Sequence, residues 1–142
     1  LEIIVIFEQT KQKDMNRGKL TELYKKYNLT SDDVYKHQHY IIITRSGIDK
    51  IQGLEGIEIN YHLEKAEKDF AVVKATAEKD GNFIQTFGSA TKGETFKDGN
   101  TQTWYVVEMA EKRAMSRAVL KMTGFYELGV FGEDESEDFK KQ

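Results

Sequence analysis

Residues 70–90 read FAVVKATAEKDGNFIQTFGSA, and this stretch decides the fold. Ala71, Val73, Ala75 and Ala77 share one face of a strand over residues 70–79. Lys79-Asp80-Gly81-Asn82 follows, and an Asp-Gly pair fits the positive φ of a type I′ hairpin turn. Residues 83–89 form the returning strand. Upstream, Ile57, Ile59, Tyr61 and Leu63 alternate with Glu58, Asn60, His62 and Glu64, which predicts a half-buried strand. Residues 57–90 therefore read as a three-stranded antiparallel meander.

Downstream, residues 92–102 form a polar loop containing Gly93, Lys97, Asp98, Gly99 and Asn100. Thr101 or Thr103 is positioned to cap the helix that follows. Residues 105–123 are rich in Ala, Met, Glu, Lys and Arg, and Gly124 supplies a stop. On a helical wheel, Val107, Ala114, Ala118, Met122, Met115 and Val119 fall on one arc, with Ala110 at its edge. That arc is the expected core face, packed on the sheet. Arg113, Arg117 and Lys121 recur every four residues on another side, beside Lys112 and Ser116. Four residues span ~6 Å of helix, close to the phosphate spacing of a single strand, and guanidinium groups suit phosphate. Two readings of this row stand. It is a solvated face whose late positions oppose the helix's negative end, or it is an anion-binding stripe.

Upstream of the meander, residues 1–7 are an apolar β-branched run and read as a strand. Residues 9–18 are polar. Leu20, Leu23, Tyr24 and Tyr27 have helical spacing over residues 19–28, and Asn28 suits the end of that short helix. Thr30, Ser31 and Asp32 are suited to start a further turn. Residues 40–44 are a second β-branched run. Thr44 or Ser46 can cap a short helix over residues 47–52, bracketed by Gly53 and Gly56. The fold class is α+β: an antiparallel β-meander packed against a long C-terminal helix (a β-β-β-α core), with a short N-terminal extension. The expected divisions are residues 1–39 as extension, 40–131 as core and 132–142 as an acidic, disordered tail.

The chain has 142 residues, 39% hydrophobic and 32% charged, which suits one soluble domain. Its net charge is -3. The last ten residues hold Glu133, Asp134, Glu135, Glu137 and Asp138 against two lysines, leaving a neutral body. An anion-binding surface must therefore come from local clustering. No cysteine is present, which removes disulfides, thiolate zinc sites and a thiol nucleophile. No apolar run approaches the ~18 residues of a membrane span, and no secretory signal is visible. A cytoplasmic protein is expected.

The order of elements resembles the single-strand annealing proteins of the Rad-fifty-two-like superfamily, which include phage recombinases. The stretches that carry the resemblance are Phe83-Ile84-Gln85-Thr86-Phe87-Gly88-Ser89-Ala90 and residues 108–125, from Glu108 through Arg113-Ala114 and Arg117-Ala118 to Gly124-Phe125. Arg117-Ala118 matches the family's Arg-Ala pair. Arg113 and Lys121 continue its basic face. The resemblance implies binding of single-stranded DNA and annealing of complementary strands in homologous recombination and repair. It also implies assembly into a ring or filament, with no nucleotide hydrolysis and no cofactor. A single-strand-binding protein is a further partner, and the setting would be the cytoplasm of a bacterium or phage-infected host. Phosphate contacts are expected from Arg113, Arg117, Lys121, Lys112, Lys92 and Lys97. Trp104, Tyr105 and Phe87 are candidates for base stacking, although core or subunit-interface roles are commoner for such aromatics.

Enzyme readings rest on thinner patterns. His37 and His39 share a face if both lie on a strand, but no third metal ligand accompanies them. Residues 69–74 lack the Glu-x-Lys spacing of a metal-dependent nuclease. Glu58 with Glu64 or Glu78 would pair carboxylates on a strand face. There is no phosphate-binding Gly-rich loop and no nucleophile elbow. A metal-dependent nuclease and a non-catalytic interaction protein are the alternatives. The acidic tail reads as a solubilising end, as a nucleic-acid mimic that competes for the basic stripe, or as a peptide offering Phe139 to a partner.

Overall fold

A computed structural model describes residues 2–95 and 97–138. The protein is α+β, with antiparallel sheet strands and a C-terminal helix. Helix α1 spans Glu2–Lys26, where the sequence predicted a strand followed later by a short helix. Strand bias in a β-branched run is a context effect that needs a partner strand, and among the described residues none pairs with this segment. The Glu-, Gln-, Lys- and Leu-rich turns that follow propagate helix back through it. Leu20, Leu23, Tyr24 and Tyr27 dock this helix on the body. The rings of Tyr24 and Tyr27 lie 6.3 and 5.9 Å from that of Phe125. Asn28 ends the helix at φ 54°. Its N–H bonds Lys25 O, and the Leu29 N–H bonds Tyr24 O, which is a Schellman closure.

Strands β1 (Val34–His37) and β2 (Tyr40–Ile43) form a hairpin, and β6 (Val130–Gly132) joins β2 in parallel. Between them in sequence, α2 spans Arg45–Glu55. It is capped by the Thr44 hydroxyl, which accepts from Gly47 N, and is closed by Gly56 at φ 67°. The meander is β3 (Glu58–Ala66), β4 (Phe70–Lys79) and β5 (Asn82–Thr91). Asp80 and Gly81 take φ of 52° and 82°, as a type I′ turn requires. The predicted face of Ala71, Val73, Ala75 and Ala77 is buried. Strand β3 differs from its reading: Ile59 is half-buried, but Tyr61 and Leu63 are exposed.

The reason lies in α3, Val106–Met122, which crosses β4 and β5 and barely reaches β3. No side chain caps this helix, and Tyr105 stands at its start. The predicted cap Thr101 instead accepts from Thr103 N. Ala110, Ala114 and Ala118 are fully buried, as is Val119, and Met115 nearly so; Val107 and Met122 are half-buried. A Cβ on Gly88 of β5 would sit 2.1 Å from Ala110 O, so helix and strand backbones touch there. On the opposite side, a Cβ on Gly132 of β6 would sit 2.9 Å from Ser116 Cβ. The helix thus lies between the two sheets, and Arg113, Ser116 and Leu120 are buried as well. After it come two 3-10 turns, Tyr126–Leu128 and Glu133–Asp138. The second takes up residues 133–138 of the expected acidic tail: it lies against α3, and Glu135 is buried. Phe139 and the last three residues lie outside the described residues. Among the described residues, no helix is long and apolar enough to cross a membrane.

Candidate nucleic-acid interface

The basic row on α3 does two different things. Arg113 Nη1 donates to Ser89 O at 2.9 Å, and Arg117 Nη1 donates to Phe87 O at 2.8 Å. Four residues of helix rise ~6 Å, and two residues of strand span ~6.7 Å. The helical repeat therefore matches the carbonyl repeat of β5, an edge strand of its sheet. Edge carbonyls need cover, and the arginines supply it. Arg113 also donates from Nη2 to Asn100 O at 2.6 Å and from Nε to Asp134 O at 2.9 Å. It is 2% exposed. The expected stripe is broken there, because the second sheet and the acidic turn cover a side of α3 that the sequence reading left open to solvent.

Arg117 keeps a partly exposed rim while its Nε meets Glu135 Oε2 at 3.2 Å. Asp134 Oδ2 accepts from Ser116 Oγ at 3.2 Å and faces Arg45 Nη1 at 3.8 Å. Of the other predicted residues, Lys121 is exposed, with Nζ 5.1 Å from the Tyr126 ring centre, and Lys112 is half-buried. Lys121 stands near the opposite end of α3 from the loop lysines, so the six residues do not converge on one point.

Lys92 and Lys97 lie on the loop between β5 and α3. Asn100 folds this loop back: its Oδ1 accepts from Thr91 N at 2.7 Å, and its Nδ2 donates to Ser89 O at 3.3 Å. Gly93 and Gly99 cross so closely that a Cβ on Gly99 would lie 2.3 Å from Thr91 O. The closure presents Trp104 at the end of the sheet, 57% exposed. Lys92 Nζ lies 4.5 Å and Lys68 Nζ 5.2 Å from its ring centre. Tyr105, also exposed, follows it, and Lys97 is exposed on the same loop. Lys68 was missed from sequence because it sits in the β3–β4 turn, far from Lys92 along the chain. Its position was nevertheless implied by the Asp80–Gly81 hairpin. Continuing that register beyond the Phe70–Thr91 pair sets the turn beside Lys92, whose N–H bonds Asp69 O at 2.8 Å.

An exposed indole with two ammonium groups close to its ring offers aromatic surface for a base and charges for the adjoining phosphates. Phe87, exposed on the outer face of β5, stands opposite Lys74 of β4. The enzyme candidates are more scattered. His37 ends β1, and His39 lies beyond Gln38 in the turn, so they do not share a strand face. Glu58 and Glu78 are register partners on β3 and β4. Among the described residues, no three His, Asp or Glu side chains are grouped as metal ligands. No family model, curated protein or solved structure matches this chain.

Proposed function

We propose that this chain is a single-stranded DNA-binding protein that promotes annealing of complementary strands in recombination, acting as an oligomer and without ATP. The observation that carries this reading is the exposed Trp104 ring with Lys92 and Lys68 beside it. Stacking on aromatic rings is tolerant of sequence, and lysines follow phosphate without reading base edges. Annealing needs both properties, since a bound strand must remain free to pair. The order of meander and helix, and the Arg117-Ala118 pair within the helix, support the same reading through the annealing-protein resemblance. Lys97 and the rim of Arg117 extend the basic surface. Lys112 and Lys121 are more distant contacts, and Arg113 serves the fold.

The test is fluorescence anisotropy with a labelled single strand and a matched duplex across a salt series. The single strand is expected to bind more tightly, with affinity falling as salt rises. Trp104→Ala should weaken binding by about 1–3 kcal/mol. Lys68→Ala with Lys92→Ala should reduce the salt slope by roughly 1.4. A folded protein that ignores single strands at low salt, or a Trp104→Ala variant that binds undiminished, would falsify the proposal.

A further inference from the structure

Two apolar surfaces have no counterpart among the described residues. The first is the start of α1. Ile3, Ile4, Val5 and Ile6 are 51–82% exposed, and every described side chain from there to Met15 is exposed. The helix first meets the body at Leu20, so its opening turns stand roughly 25 Å away along a 1.5 Å rise per residue. The second is the inner face of β3, where α3 stops short. Tyr61 and Leu63 are 42% and 49% exposed there. Tyr61 lies within electrostatic reach of Glu111 on α3 and of Arg45 and Asp49 on α2.

We propose that the Ile3–Ile6 arm of one copy docks on the Tyr61–Leu63 face of a second copy. The helix is buried first at Leu20 and its described side chains from Ile3 to Met15 are exposed, so the tip does not rest on its own β3. Four consecutive apolar residues in water mark a contact surface. The charges agree. Over residues 2–19, Lys11, Lys13, Arg17 and Lys19 outnumber Glu2, Glu8 and Asp14, while Asp49 and Glu111 outnumber Arg45 beside Tyr61. Arm and face are different surfaces, so the contact is heterologous and repeats from copy to copy into a ring or an open filament. The inference supplies the subunit contact that the proposed oligomer requires, but it rests on the two apolar surfaces and not on nucleic-acid binding.

Sedimentation velocity without nucleic acid tests it. The unmodified chain should assemble with rising concentration. An Ile4→Glu, Ile6→Glu double variant and a Leu63→Glu variant should each be monomeric. Mixed in equal amounts, they should form a one-to-one dimer, because one keeps a working face and the other a working arm. That rescue also shows that both are folded; if Leu63→Glu fails to fold by circular dichroism, Tyr61→Ser takes its place. Trp104→Ala should assemble normally, which separates this contact from the strand-binding reading. A chain that is monomeric at every concentration, an arm variant that assembles like the parent, or a mixture that stays monomeric overturns the proposal.

Discussion

Arg113 commits its guanidinium to the carbonyls of Ser89, Asn100 and Asp134, joining β5, the loop before α3 and the acidic turn after it. Arg113→Ala should destabilise the protein by on the order of 3 kcal/mol, because buried carbonyls lose charged donors. Arg113→Lys should recover little of that, since one ammonium cannot span three diverging acceptors. Urea denaturation reads both; a loss near zero would contradict the bracing role. Gly88→Ala should cost about 3 kcal/mol. The new methyl would meet Ala110 O and Ala114 N, both helix backbone that cannot turn aside. Asp33 gives a pH signature. It is buried, and its folded-state pKa is held below the ordinary carboxylate value by hydrogen bonds from Lys50 Nζ, at 2.6 Å, and Thr30 N. A depressed folded pKa contributes stability above the unfolded value that is lost as pH falls through the folded one. Urea midpoints should therefore drop as pH falls through and below the ordinary carboxylate range. Asp33→Asn should be less stable at neutral pH and show a flatter acid limb.

At the scale of elements, the loop between β5 and α3 works as a mount for Trp104. Asn100→Ala removes two hydrogen bonds that fold the loop back, so stability should fall by about 1–2 kcal/mol and strand affinity should fall with it. Trp104→Ala should lose affinity at nearly unchanged stability, because the ring is more than half exposed. Thermal melts beside binding curves separate the two cases. The meander and its turn were legible in the sequence because they rest on local signals: alternation along β4 and the positive-φ pair Asp80–Gly81. Residues 2–7 were misread because β-branched composition favours a strand only where a neighbour strand exists. Strand β6 was hidden for a related reason. It is three residues long, and its partner Ile41–Ile43 lies far upstream, so no local pattern announces the pairing.

At the scale of the whole molecule, the second sheet changes the meaning of α3. The sequence shows an apolar arc and a basic row, which suggests one face in and one face out. With sheets on both sides, part of the row is interior, and its ~6 Å pitch answers the carbonyls of β5 before any phosphate. The site was therefore half legible: Lys92, Lys97 and Trp104 could be named from the loop, whereas Lys68 required the hairpin register and the burial of Arg113 required the second sheet. On the proposed function, a neutral body means that strand binding would be local, with a modest salt dependence per subunit that multiplies in an assembly. Trp104 is the chain's single tryptophan, so the proposed contact reports on itself. The most direct measurement is its intrinsic fluorescence during titration with an unlabelled single-stranded oligonucleotide at low salt. Stacking predicts saturable quenching that added salt reverses and that Lys68→Ala with Lys92→Ala weakens. Emission that stays constant through the titration would contradict the account.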